Sequence, residues 1–302
     1  MTAFRKIIRY SLGIVILYSL FSCASTVKST DLASEYYNLG NAYFEVDNYT
    51  RAILFFQKAM TFDENLNKAG FNLSLALIKD GRPGEAEEVV GKLLAMDPDN
   101  QSLLEVLAFA YHGQDQDEKA IAVYQQILDV SPEQVDARYN LAVLLWKQEF
   151  RDDALNEFVL VLEYSPDDLD TLFNLGQLLL EQEQAEEAVE TLQQYLQLEP
   201  SDEEAYMYLG EGFRRLERYD KALAAYTNAI TYDEKKAEAW FYSAQILLSK
   251  IEDPKRGLTA LDQALDYGFK DKDAILALLE LPELLDKTKV EALLQKKGLL
   301  EQ

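Results

Sequence analysis

Between residues 203 and 232 apolar or small side chains recur at the i, i+3, i+4, i+7 spacing of a helix stripe. They fall at Tyr206, Leu209, Gly210 and Phe213, and the second half repeats the stripe with Ala222, Tyr226, Ala229 and Ile230. The pattern predicts two amphipathic helices joined by a turn, and the same pair recurs along the chain. Pro98, Pro132, Pro166 and Pro200 stand 34 residues apart. Ala52, Ala86, Ala120, Ala154, Ala188 and Ala222 keep that spacing, as do Leu39, Leu73, Leu107, Leu141, Leu175 and Leu209. Small residues follow those leucines at Gly40, Ser74, Ala108, Ala142, Gly176 and Gly210; Ala244 continues the series, with Ser243 in place of Leu. Seven units result, beginning at Ala33, Asn67, Gln101, Val135, Leu169, Glu203 and Ala237 and covering residues 33–268. The seventh carries one extra residue within Ile251-Glu252-Asp253-Pro254. The small residues let the paired helices cross closely, and proline ends the second helix because its ring and missing N–H disfavour continuation. One pair cannot bury both stripes, so the pairs must stack. The fold class expected is all-α.

In the first unit, Tyr36-x2-Leu39-Gly40-x2-Tyr43 followed by Ala52-x3-Phe56 resembles the tetratricopeptide repeat, whose period is 34 residues. The resemblance implies a right-handed superhelical solenoid of about seven helix-turn-helix repeats. Its concave groove would be lined by the second, fifth, ninth, twelfth and thirteenth positions of each repeat. On this register the fifth positions read Tyr37, Phe71, Glu105, Tyr139, Phe173, Met207 and Phe241, and the twelfth read Phe44, Ile78, His112, Trp146, Leu180, Arg214 and Leu248. The ninth positions add Leu75, Phe109 and Val143. The candidate partner-binding groove is therefore Tyr37, Phe71, Leu75, Ile78, Phe109, His112, Tyr139, Val143, Trp146, Phe173 and Leu180. Tyrosine at the fifth position is common in the family, so part of this set is scaffold. Trp146 is expected to project freely, since the Arg138 stem, Leu141, Ala142 and Leu145 supply the packing stripe of its helix. The Lys/Asn set with which chaperone-binding members clamp a terminal carboxylate is missing apart from Asn41, which disfavours that role.

The ends of the chain differ from the repeats. Residues 1–22 hold Arg5, Lys6 and Arg9, no acid, and the apolar run from Tyr10 to Phe21, the order of a secretory signal. Twelve apolar residues would span only ~18 Å as a helix, short of a ~30 Å hydrocarbon core. Leu20-Phe21-Ser22-Cys23 resembles the lipobox of bacterial lipoproteins, with Phe21 larger than the usual residue there. The resemblance implies cleavage before Cys23 and acylation of its thiol, and Ala24 implies an outer-membrane destination facing the periplasm. An ordinary signal peptide ending near a Cys, or an uncleaved anchor, is the other reading of these residues. Residues 23–32 then form a polar tether. At the far end, residues 269–302 leave the repeat pattern, and helical stretches at 273–281 and 282–295 are expected to cap the last repeat.

Charge narrows the function. Lys and Arg number 29 against 53 Asp and Glu, a net of −24, which becomes −27 without residues 1–22. Nucleic acid and anionic lipid are repelled. Residues 101–202 alone carry 22 acids and 4 bases, which would draw in a basic, amphipathic partner or simply keep the solenoid soluble. One Cys and one His leave no Cys/His metal site. Gly210-Glu211-Gly212 lacks the strand and third glycine of a dinucleotide fingerprint, and pairs such as Asp152-Asp153, Asp167-Asp168 and Glu186-Glu187 read as solvated charge. No cofactor or catalytic residue is assigned. His112, with no titratable neighbour evident in sequence, reads as a groove-lining or hydrogen-bonded residue. The expectation is a non-enzymatic, membrane-anchored scaffold for a protein or peptide. By shared architecture the alternatives are a pilotin-like or outer-membrane-assembly lipoprotein, or a ligand-binding accessory of a solute transporter.

Overall fold

The computed structural model describes residues 29–300, which divide between Pro132 and Glu133 into two compact units. Cys23 and the leader lie outside the described residues. Sixteen helices and no strand occur among the described residues. The first unit holds α1 (Ser29–Glu45), α2 (Tyr49–Phe62), α3 (Asn67–Lys79), α4 (Pro83–Leu94), α5 (Gln101–His112) and α6 (Asp117–Val130). The second holds α7 (Val135–Lys147), α8 (Arg151–Tyr164), α9 (Leu169–Glu181), α10 (Ala185–Leu198), α11 (Glu203–Arg215), α12 (Tyr219–Tyr232), α13 (Ala237–Ser249) and α14 (Pro254–Asp266), then α15 (Lys272–Glu280) and α16 (Lys287–Lys296).

Odd and even helices pair as the 34-residue pattern requires. A Cβ added to Gly210 would stand 2.4 Å from the Tyr226 ring, one on Gly40 2.5 Å from Phe56, and one on Gly176 2.7 Å from Leu192. Large side chains at these crossings would therefore collide. Asn and Asp cap several first helices: the Asp168 carboxylate accepts from Thr171 N–H at 2.9 Å and that of Asp202 from Ala205 N–H at 2.8 Å. Between paired helices one residue takes a left-handed turn. It is Gly81 in the second repeat but an acid elsewhere: Asp47, Asp115, Glu149, Glu183 and Glu217, all with φ between 56° and 65°. In the seventh repeat the turn falls one place late, at Glu252 with φ 57°, which is where the extra residue is absorbed.

The helix boundaries correct the sequence reading at both ends. Helix α1 begins at Ser29, inside the expected tether, with Asp31 in its first turn favouring the helix N-terminus. Residues 282–286 form turns and α16 starts at Lys287, because the cap docks on the last repeat through tertiary contacts. Leu285 N–H donates to Leu248 O at 2.8 Å, and Asp286 adopts φ 51° and ψ 35°.

In the first unit, stacking turns the third, seventh and tenth positions of α3 against α2 of the preceding pair. Ala69, Leu73 and Ala76 are at most 3% exposed, and Leu73 and Ala76 pack with Ile53 and Phe56. Helix α1 has no preceding pair among the described residues. Its Glu35, Leu39, Ala42 and Val46 are exposed, Leu39 by 44% and Val46 by 68%. The other end is covered: Ile275, Leu278, Val290 and Leu294 of the cap close over Phe241, Leu247 and Leu248 in one cluster, all at most 3% exposed.

Candidate functional site

The groove register falls on the odd-numbered helices, and each unit presents its own stretch. In the first unit, Tyr37 of α1 is half-buried, with its ring 6.0 Å from Phe56 and Lys68 Nζ 4.3 Å above it. Asn72 of α3 donates to Tyr37 Oη at 3.3 Å and to Asn41 Oδ1 at 2.7 Å, tying the first repeat to the second. Phe71, Leu75 and Ile78 of α3 lie half-exposed on the core cluster of Val90, Leu93, Leu103 and Val106. Phe71 and Leu103 border an open cleft of 380 Å³ edged by Lys68, Asp97 and Asn100. Phe109 of α5 is 38% exposed and meets Tyr124 edge-on at 6.4 Å.

His112 closes α5 and does have a titratable partner. Its Nδ1 lies 2.6 Å from Asp117 Oδ1, the first residue of α6, whose side chain is 4% exposed. The turn brings the two together across five residues. The pair ties the two helices of the third repeat while leaving the imidazole 45% exposed.

In the second unit, Tyr139 of α7 accepts from Asn174 Nδ2 of α9 at 2.8 Å and tilts against Phe158 at 6.0 Å. Val143 is half-buried beside it. Trp146 does not project freely. Its Nε1 donates to Glu181 Oε2 of the next repeat at 2.9 Å, and its ring meets Phe158 edge-on at 6.3 Å. The indole therefore rests on the core with one face outward. Arg138 is 8% exposed and paired with Glu157, so its role is a buried ion pair as well as an aliphatic stem. Phe173 of α9 sits between Tyr195 at 5.3 Å and Tyr208 at 5.7 Å. Leu180 is a correction to the expected groove. It is 4% exposed, because the next repeat packs on it at Gly212, where a Cβ would stand 3.6 Å from Leu180 and 2.8 Å from Val189, while Arg215 reaches the Leu180 carbonyl.

In the seventh repeat the cap covers the register. Phe241 stacks on Phe269 at 4.0 Å, with 1% exposed, and Leu248 is fully buried. The neighbouring cavity of 250 Å³ is bordered by Arg214, Tyr219, Gln245, Ser249 and Leu281.

Two features of the faces escaped the sequence reading. The sixth positions (Asn72, Asn174, Tyr208) each reach back to the fifth-position ring of the preceding repeat. The second positions are acidic throughout the second unit (Asp136, Asp170, Glu204, Glu238), against Lys68 and Ser102 in the first. Burial, then Asp170, raises the Tyr139 phenol above its ordinary value; burial, then Glu204, does the same for Tyr208, and burial, then Glu211, for Tyr242. Burial alone would raise the Glu211 carboxyl, but the Arg214 and Arg215 guanidiniums at 2.7 Å outweigh it and hold it below the usual range. Both features are written in the 34-residue register, one at the second position expected to line the groove and one at the sixth, a place beyond the fifth. Among the described residues no group of three or more His, Cys, Asp or Glu is placed to hold a metal ion.

Models of the tetratricopeptide repeat match residues 33–66, 77–128 with 151–210, 108–149 and 207–266. Over 111 residues the chain is 31% identical to protein O-mannosyl-transferase Tmtc3 of Drosophila melanogaster. That segment is 36% of this chain and 12% of the fly protein. The C-terminal part of a repeat-containing protein from Cytophaga hutchinsonii superposes with a TM-score of 0.68 at 15% identity, covering 81% of this chain and all of that one. YrrB, described as a TPR protein with an unusual peptide-binding site, superposes with a TM-score of 0.58 at 22% identity, covering 63% of this chain and 98% of its own. A tetratricopeptide-repeat protein from Parabacteroides merdae gives 0.56 at 18% identity, with 82% and 98% covered.

Proposed function

We propose that this tetratricopeptide-repeat protein is a non-enzymatic scaffold that holds a protein or peptide, anchored through lipidated Cys23 in a bacterial envelope membrane. The observation that carries the binding role is the set of rings on the groove register that packing leaves partly open: Phe71 and Phe109 in the first unit, Tyr139, Trp146 and Phe173 in the second. Each is braced by core or by the next repeat and stays partly exposed, the arrangement in which an aromatic gains from a partner at little entropic cost. Exposed apolar patches of this kind mark interaction sites. The fold is also that of YrrB, which has a peptide-binding site.

Charge sets the partner's character in the second unit. Asp136, Asp170, Glu204 and Glu238 recur beside the rings, so an amphipathic segment carrying Lys or Arg is favoured and anionic partners are repelled. The lipid anchor and an outer-membrane, periplasm-facing position rest on the Leu20-Phe21-Ser22-Cys23 string and Ala24. Two acyl chains supply stable anchoring that one does not.

Cross-linking in cells followed by recovery through this protein tests the binding role. Trp146→Ala with Phe173→Ala is expected to keep helicity and lose the partner captured by wild type. Undiminished capture would move the site off this face. Labelled palmitate is expected to enter wild type and not Cys23→Ala, and equal labelling would remove the anchor.

A further inference from the structure

The outward face of the first repeat lies between two facts: it is built like a repeat interface, and no repeat covers it among the described residues. Tyr36, Leu39 and Tyr43 fall three and four residues apart, one line along α1, and Val46 follows in the turn just past its end. Behind them Phe55 and Phe62 of α2 complete a column of near-parallel rings: Tyr43 on Phe55 at 5.3 Å, Phe55 on Tyr36 at 6.1 Å and Tyr36 on Phe62 at 5.5 Å. Lys58 Nζ stands 5.4 Å from the Tyr36 ring centre and Arg51 5.3 Å from that of Tyr43, so two cations edge the column. Apolar side chains interleaved with tyrosines and rimmed by Lys and Arg make the composition of a membrane-interface anchor.

The length of chain before α1 selects the occupant. Residues 24–28 alone separate Cys23 from Ser29. Fully extended, that segment reaches at most about 20 Å. We infer that, once Cys23 carries its lipid, the Tyr36, Leu39, Tyr43 and Val46 face lies against the bilayer interface and settles there through apolar and aromatic contact. This inference rests on the lipid-anchor reading. The lipid it fits is uncharged in sum, because a chain at −27 is repelled by anionic headgroups. The consequence is an oriented scaffold: the anchor supplies the lipid contact, and the first repeat fixes which way its unit presents its groove face.

The test supplies the lipid chemically, so it does not depend on acylation in the cell. The chain beginning at Cys23 contains every described helix and one thiol. It is coupled through that thiol to a maleimide lipid in phosphatidylcholine vesicles, and compared by amide hydrogen exchange with the same chain capped by a water-soluble maleimide. Exchange is expected to slow several-fold in α1 and α2 on vesicles. Leu39→Glu with Val46→Glu, both at exposed positions, is expected to abolish the slowing without loss of helicity. Equal exchange in coupled and capped protein overturns the inference. So does slowing that appears without vesicles and grows with protein concentration, which would assign the face to a second copy of the chain. Palmitate labelling of Cys23 in cells fails or succeeds separately.

Discussion

The first repeat and the last carry the same interface chemistry and end differently. In the first, Leu39 occupies the stacking stripe and is 44% exposed; in the last, Leu247, Leu248, Leu278 and Leu294 are all at most 3% exposed under the cap. A stacked repeat must either cover its terminal stripe or use it. The chain spends two extra helices, Lys272–Glu280 and Lys287–Lys296, covering one stripe, and presents aromatic rings and cations on the other. Leu at the seventh position is likewise at most 6% exposed at Leu73, Leu141, Leu175 and Leu209, so the neighbour and not the residue type decides burial there.

The comparison is broken most directly by matched truncations. Leu278→Ala at the covered end is expected to cost ~2–5 kcal/mol, the range for a leucine deleted from a closed core. Leu39→Ala, the same change at the open end, is expected to cost under about 0.5 kcal/mol. Equal losses in urea unfolding would mean that the first stripe is covered in solution. Close crossings sharpen the point. Gly210→Ala drives a Cβ into the Tyr226 ring and is expected to cost ~1–3 kcal/mol. Gly40→Ala meets Phe56 at much the same distance, yet among the described residues no helix packs on the far side of α1, which is expected to yield outward at lower cost. Thermal unfolding of the two variants checks the order.

Smaller effects should ignore the distinction or be confined to one end. The left-handed turns at Asp47 and Glu252 belong to opposite ends, but their strain is local. Asp47→Gly and Glu252→Gly are each expected to gain up to about 1 kcal/mol, and a gain at one end alone would show that tertiary contacts hold the turn. At the covered end Lys297 Nζ bridges Asp262 at 2.8 Å and also Asp266, which together hold its ammonium above the usual lysine range, Asp262 first. A raised lysine stabilises the fold fully below its unfolded pKa, and the contribution is lost as pH climbs through the folded value. Lys297→Met is therefore expected to be slightly less stable than wild type at neutral pH. That difference should shrink in alkaline unfolding above the lysine range.

Most of the fold was legible because a repeat writes the same requirement many times. Pro98 to Pro200, the alanines from Ala52 to Ala222 and the glycines at the crossings named each helix pair and its register, since a ring or an extra methylene at a crossing is excluded by sterics that act within one pair. The positions expected to line a groove could be written down from the repeat, and at them Tyr37, Phe71, Phe109, Tyr139 and Phe173 are partly exposed. Leu180, Trp146 and His112 show where that reading stops. Leu180 is buried because the next repeat places Gly212 beside it, Trp146 is held because the next repeat supplies Glu181, and His112 is paired because a tight turn returns Asp117 to it. Helix periodicity and small-residue spacing act within about thirty residues, so the sequence by itself determined the pairs, their register and their small crossings. Exposure of one position, the start of α16 and the pairing of each polar tip depend on what a neighbouring element brings, and only the tertiary structure decided them.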